Sequence, residues 1–177
     1  EIIQEKVDHP RVIVDLCTGS GNLAVALAAM YREADVYATD LAEDALAVAS
    51  STADLNGVEV TFGHGDLFVP LPDQLEEAVD LLEANPPYLA AIDYEDLPCD
   101  EKREPRTALV AGDDGDEVLA RIAEQAGAWL APGGLVICEI SEFHGEAIVS
   151  HFSSLDGTLL QDLSGRDRFV IGHRRVE

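Results

Sequence analysis

Arg11-Val12-Ile13-Val14-Asp15-Leu16-Cys17-Thr18-Gly19-Ser20-Gly21-Asn22-Leu23-Ala24-Val25-Ala26-Leu27-Ala28-Ala29-Met30 is the stretch whose reading decides the fold. Its first part, Arg11–Cys17, is a short apolar run rich in β-branched residues, the composition of a strand buried on both faces. From Asn22 to Glu33, Leu23, Ala26, Leu27 and Met30 recur at helical spacing. Between them, Gly19 and Gly21 permit a tight turn and let a ligand approach the backbone. A buried strand, a glycine turn and a helix open a βαβ unit, and the ligand crevice of such a sheet lies beyond the carboxyl ends of its strands.

The pattern continues outward. Asp35–Thr39 reads as the second strand and Ala42–Asn56 as the second helix, closed by Asn56-Gly57 because glycine takes the left-handed C-cap without steric cost. Glu59–Phe62 and Asp80–Ala84 are further strand runs. Asp116–Leu130 turns Val118, Leu119, Ile122 and Ala126 inward and is expected to stop at Pro132-Gly133-Gly134. Leu135–Ile140 reads as a strand and Glu142–Ser153 as a helix. Gly157–Leu163 and Arg168–Gly172 read as two strands around Ser164-Gly165-Arg166-Asp167. Strands alternating with helices predict a parallel sheet covered on both sides. The expected fold is α/β: a Rossmann-like, doubly wound, mostly parallel sheet with helices on both faces and one antiparallel strand near the C-terminal edge. At 177 residues one domain, 1–177, is the default. Leu89–Asp114 is the one long stretch expected to be irregular; it reads as a wall or lid on the substrate side, or else as an acidic insertion without structure.

Asn85-Pro86-Pro87-Tyr88 ends the run before it. Two prolines cannot donate to a ladder and the residue before a proline is pushed out of helix, so the strand must stop and a stiff loop must follow. That loop offers an amide side chain, backbone carbonyls and an aromatic ring. Together these can hold a flat NH2 group, oxygens accepting its N–H bonds and the ring lying on its plane. The competing reading is a proline-rich turn capped by Asn85.

The glycine turn with Asp40 satisfies a loose dinucleotide pattern, Gly19-x-Gly21-x-x-Ala24, followed at a suitable distance by an acid that would hydrogen-bond ribose hydroxyls. This pattern does not separate a nicotinamide dinucleotide from S-adenosylmethionine, and Asp40 would equally cap the helix beginning near Ala42. Asp66-Leu67-Phe68 follows the third strand: Asp66 could accept from an adenine amine with Leu67 and Phe68 around its ring, or the three could form an acidic turn with two core side chains.

Composition narrows the partners. Asp and Glu number 35 against 11 Lys and Arg, a net charge of −24. Such a surface repels phosphate backbones, which makes nucleic acid a poor partner and a basic protein a better one. Adaptation to high salt, which screens every charge, is a second reading of the same acidity. No apolar stretch is long enough to span a bilayer and no export signal is read, so a membrane partner is not expected. Cys17, Cys99 and Cys138 are scattered without C-x-x-C spacing, which fits free thiols in a reducing cytoplasm. The five histidines lack ligand spacing, and no metal is expected.

These motifs add up to a resemblance. Asp15–Ala28, Thr39-Asp40, Gly65–Phe68 and Asn85–Tyr88 resemble class I S-adenosylmethionine-dependent methyltransferases. Glu104-Pro105-Arg106-Thr107-Ala108-Leu109, Ala111–Gly115, Pro132-Gly133-Gly134, Glu139-Ile140 and Gly165–Arg168 are similar to the HemK/PrmC family, whose members methylate a glutamine side-chain nitrogen in peptide chain release factors. The resemblance implies S-adenosyl-L-methionine as cofactor, S-adenosyl-L-homocysteine as product and a release factor, through its Gly-Gly-Gln loop, as protein substrate. Methylation of another protein, or of an exocyclic amine in DNA or RNA, is the alternative. The residues indicated for the cofactor are Asp15, Cys17, Thr18, Gly19, Ser20, Gly21, Asp40, Asp66, Leu67, Phe68 and Asn85. Those indicated for catalysis are Asn85, Pro86, Pro87 and Tyr88. Three departures stand out. The family's upstream helical domain has no counterpart here, as if the chain were a processed or excised piece. Ser141 and His144 stand where the family shows Gly and Gln, and Leu67 where it often has a large aromatic.

An oxidoreductase on a similar sheet would leave Asn85–Tyr88 unexplained. A degenerate module that only docks partners would not need the intact glycine turn together with Asp40.

Overall fold

The computed structural model describes residues 2–98, 101–103 and 105–176. Cys99 and Glu104, singled out above, lie outside them. In chain order the elements are α1 (Ile2–Lys6), β1 (Val12–Leu16), α2 (Asn22–Met30), β2 (Asp35–Asp40), α3 (Glu43–Asn56), β3 (Thr61–His64), β4 (Val79–Ala84), β5 (Leu89–Ala90), α4 (Arg106–Leu109), β6 (Val110–Gly112), α5 (Glu117–Trp129), β7 (Leu130–Glu139), α6 (Gly145–Val149), β8 (Thr158–Gln161) and β9 (Asp167–His173).

Seven strands form one sheet in the order β3-β2-β1-β4-β7-β9-β8. β1, β2, β3, β4 and β7 pair in parallel, and β9 runs antiparallel to both β7 and β8. The expected mostly parallel sheet with one reversed strand near its C-terminal edge is the sheet observed. The chain winds outward from β1 to β3 and then returns to β4, so the switch point lies between β1 and β4, where a crevice opens in doubly wound sheets.

The two faces bury different residues because side chains alternate along a strand. Val14, Leu82, Val136 and Val170 point toward Leu119, Ile122 and Ala126 of α5 and Ile148 of α6. Ile13, Leu81, Leu135 and Ile171 point toward Ala24, Leu27 and Ala28 of α2. Each fully buried Leu or Ile contributes roughly 1.5–3 kcal/mol of burial, which is what holds the helices to the sheet.

Local signals work where the chain's own geometry decides. Gly57 caps α3 in the left-handed region (φ 62°), its N–H bonding Ala53 and Asp54 carbonyls. β4 ends at Ala84, with only Asn85 between it and the prolines. Three expectations change. Pro132-Gly133-Gly134 sits inside β7: between Leu130 and Leu135 the strand bulges while its neighbour advances only from Val79 to Leu81. The bulge is held because Gly133 N–H donates to Arg174 O (2.9 Å) and Arg174 N–H to Gly134 O (3.0 Å). The helix expected over Glu142–Ser153 shrinks to α6 and a 3-10 turn at Ser153–Leu155. Gly145 takes φ +51°, and Ser141 bonds the N–H groups of Phe143 and His144, so the residues before Gly145 form a turn. Leu89–Asp114 carries structure of its own: β5 and β6 pair in parallel, with a 3-10 turn at Asp93–Asp96 and α4 between them.

Candidate active site

The loops after β1, β2, β3 and β4 gather at one edge because the strands end in register. Leu16 pairs with both Thr39 and Ala84, and Asp40 with His64. That register brings Cys17–Gly21, Asp40, Gly65–Phe68 and Asn85–Tyr88 to the same rim.

The glycine turn is bonded at Thr18, Gly19 and Gly21. Thr18 N–H donates to Thr39 O (3.0 Å), Gly21 N–H to Thr18 O (2.9 Å), and Gly19 N–H to Asp40 Oδ2 (2.8 Å). Cys17, Gly19 and Gly21 take left-handed φ of 58°, 54° and 78°. A Cβ on Gly19 would meet nothing within 4 Å, whereas one on Gly21 would lie 2.7 Å from Ala49 Cβ in α3. Gly19 therefore faces open space and Gly21 is the close-packing residue. Ser20 is exposed. Asp15 lies beneath the turn, 2% exposed, where its Oδ2 accepts from Thr18 Oγ1 (2.6 Å) and Ala24 N–H (3.0 Å). Burial and the surrounding carboxylates push the Cys17 thiol up to about 12.

Asp40 does not cap α3, whose N-cap is Ala42 and receives no side-chain capping bond; its Oδ1 accepts from Ala42 N–H at 2.8 Å, a turn bond just ahead of the helix, while Oδ2 holds Gly19. It thus ties the second loop to the first. Asp66 forms an ion pair with Arg121 of α5 at 2.6 Å. Leu67 is buried with φ 48°, and its carbonyl accepts from Thr39 Oγ1 (2.8 Å). Phe68 is 3% exposed and stacks on Trp129, ring centroids 5.6 Å apart. The two apolar residues of this loop are thus in the core, and the loop's ionic partner is a residue that sequence reasoning did not single out.

Asn85 is exposed at the end of β4, Pro86 is buried, and Pro87 and Tyr88 are half-buried. The loop is backed by the 113–115 turn, where a Cβ on Gly115 would stand 3.0 Å from Tyr88 O and 2.9 Å from Ala90 N. Glu117 fixes that turn by accepting from Asp114 N–H (3.0 Å) and Gly115 N–H (2.9 Å), bonds that pull its carboxyl below the usual range. The segment that follows the prolines is therefore built against them. Arg106 lies over the Tyr94 ring, 5.2 Å from its centroid. Beyond Tyr88 opens a cleft of about 540 Å³ bordered by Ala90, Asp93, Ser141, Phe143, His144 and Arg168 among others. Burial lowers the His144 imidazole below its ordinary value, and its Nδ1 is buried without a partner. Phe143 and Ile92 are 89% and 81% exposed.

Besides Arg121, one more residue near this rim was missed. Glu83, in β4, is 5% exposed and pairs in register with Asp15. The signal was an acid inside the apolar run Val79–Ala84; its significance depends on a strand that is remote in sequence.

Residues 1–97 match the methyltransferase small domain family. The chain is 38% identical over 147 residues to the ribosomal protein uL3 glutamine methyltransferase of Burkholderia pseudomallei, covering 78% of this chain and 48% of that protein. It is 34% identical over 171 residues to the release factor glutamine methyltransferase of Deinococcus radiodurans, covering 96% of this chain and 60% of the relative. It thus spans about half to three-fifths of these relatives' length. Among solved structures, the ribosomal protein L11 methylase of Lactobacillus delbrueckii subsp. bulgaricus superposes with a TM-score of 0.68 at 22% identity, over 98% of this chain and 75% of that one, a likeness of fold. With its mostly parallel sheet, its bonded glycine turn and the proline loop beside it, this chain belongs to the methyltransferase small domain family.

Proposed function

We propose that the chain is an S-adenosyl-L-methionine-dependent methyltransferase acting on the side-chain amide nitrogen (N5) of a protein glutamine, in a peptide chain release factor. One observation carries this reading: exposed Asn85 stands at the end of β4 directly beside the end of β1, so an amide holder and an open glycine turn share one rim. The names of the relatives, glutamine methyltransferases of a release factor and of ribosomal protein uL3, supply the substrate class. A ribosomal protein is accordingly the second reading. The net charge of −24 speaks against a nucleic-acid amine.

The residues present fit the cofactor. Gly19 has open space where a side chain would stand, and each Asp40 oxygen accepts one described hydrogen bond while a carboxylate offers about four sites in all. Cys17–Gly21 and Asp40 would hold it, with Asp66 and the Leu67 backbone on the adenine side and Phe68 supporting that loop from the core. When bound, it supplies an activated methyl group. The chain's own residues do the orienting. The Asn85 side-chain oxygen and the Pro86 carbonyl accept the two N–H bonds of the glutamine amide, and Tyr88 fixes its plane. An amide nitrogen is a weak nucleophile because its lone pair is delocalised, so positioning is the main lever, and it can supply ~7–11 kcal/mol. The cleft beyond Tyr88, with exposed Phe143 and Ile92 beside it, takes the flanking peptide. No described helix is long and apolar enough to cross a membrane. We place the protein in the cytoplasm, with residues 1–177 acting as one catalytic domain.

The test is incubation with labelled S-adenosyl-L-methionine and, in parallel, a release factor with an intact Gly-Gly-Gln loop and a ribosomal protein. Mass spectrometry locates the added methyl. A methyl on the loop glutamine is expected; a methyl only on the ribosomal protein transfers the assignment there, and none on either overturns it.

A further inference from the structure

We infer that Glu83 is a positioning residue for the glycine turn: paired with Asp15 through a shared proton, it keeps Asp15 bonded to Thr18 and to the start of α2. The geometry carries this. Asp15 and Glu83 are register partners on adjacent parallel strands, so their side chains leave the same face of the sheet. Both are buried, 2% and 5% exposed. The two carboxyls leave the sheet side by side as register neighbours, and Glu83 Oε2 faces no donor. Two carboxyl groups that meet out of water are satisfied by one proton between them and repel without it.

The surroundings supply no counter-charge. Cys17 and Asp40 stand on the turn side of Asp15, and Cys138 and Glu139 of β7 stand beside Glu83. Arg168 of β9 acts on Glu139. α2, Asn22–Met30, carries no ionisable side chain. Among the described residues, no cationic side chain pairs with either acid. Burial is the first cause raising both carboxyls, Glu83 further, because it also faces the Asp15 charge. Asp15 already accepts two bonds at Oδ2 whereas Glu83 Oε2 accepts none, so the shared proton belongs on Glu83, which donates it to Asp15. Asp15 spends its Oδ2 on Thr18 Oγ1 and Ala24 N–H, the two bonds that set the turn against α2. Losing the proton puts two negative charges under the turn, and the bonds that shape it yield.

The sign follows from linkage. A carboxyl whose folded value is raised stabilises fully below its unfolded value, and that contribution is lost as pH rises toward the folded value. Urea unfolding of the ligand-free full chain between pH 6 and pH 9 is the first measurement. Glu83→Gln keeps the shape and a donor but cannot ionise. It is expected to gain on the native protein as pH rises, by up to about tenfold in the folding equilibrium constant per pH unit, the limit for one proton. Parallel pH profiles for the two proteins overturn the proposal.

The second measurement is calorimetry of S-adenosyl-L-methionine binding at pH 6, which rests on the glycine turn being the cofactor site. Glu83→Ala leaves Asp15 buried without its donor and is expected to weaken binding at least ~10-fold, with Glu83→Gln restoring most of the loss. Equal loss in both variants overturns the positioning role. If native protein binds no cofactor, the functional reading fails while the urea profiles still decide the pair. The profiles also decide it should Glu83→Ala not fold.

Discussion

Gly19→Ala and Gly21→Ala change the same turn by the same methyl group, and the structure expects different outcomes. Both glycines have left-handed φ, 54° and 78°, so both alanines carry a backbone cost of roughly 1–2 kcal/mol. Both also gain about 0.4–1 kcal/mol from a stiffer unfolded chain. These terms cancel in the comparison. What remains is space. The new Cβ at position 19 meets nothing within 4 Å, while that at position 21 lands 2.7 Å from Ala49 Cβ and 2.9 Å from Ala49 Cα. An α-carbon in the middle of α3 cannot rotate away, so helix and turn must separate, an overpacking cost of typically 1–3 kcal/mol. Gly21→Ala should therefore be less stable than Gly19→Ala by about 1–3 kcal/mol. With a urea slope of roughly 1–3 kcal/mol/M, the midpoints should differ by roughly 1 M. Equilibrium urea unfolding by circular dichroism on both variants reads this directly. Midpoints that coincide, with equal slopes, would show that α3 does not press on the turn and would refute the packing argument.

Three further outcomes are expected. Asn85→Ala should lower methyl transfer ~10²-fold or more, comparable to deleting one positioned hydrogen-bonding group in other enzymes, with little change in cofactor affinity; unchanged steady-state turnover would remove Asn85 from the chemistry. Asp40→Ala should weaken cofactor binding and also cost roughly 1–3 kcal/mol through two lost bonds to backbone N–H groups of the turns; calorimetry and thermal unfolding separate the two effects. Cys17, with its thiol pushed up to about 12, has about one thiolate in 10⁴ molecules at pH 8. It should resist iodoacetamide in the native state and react once unfolded, as peptide mass spectrometry would report; rapid native labelling would contradict the raised thiol.

The order of strands and helices, the glycine turn, the Gly57 cap and the stop before Pro86 were legible in the amino-acid sequence. Each depends on a period or a φ restriction that a few neighbouring residues set by themselves. Asp40 was legible as an acid at the right place, but only the structure shows that it ties Gly19 to Ala42 and does not cap α3. What the tertiary structure decided was every relation between remote segments. Pro132-Gly133-Gly134 reads locally as a break, but the backbone of Arg174 offers it bonds, and β7 runs through it as a bulge. Phe68 reads as a ligand contact or a core residue with equal ease, and only Trp129, brought over by α5, turns it into the core. Glu83 alone is an acid in an apolar run; strand register sets it against Asp15 and makes it half of a buried pair. Short-range sterics act within a few residues and are written in the chain, whereas strand register and burial arise only when distant segments pack, because water leaves all of them at once.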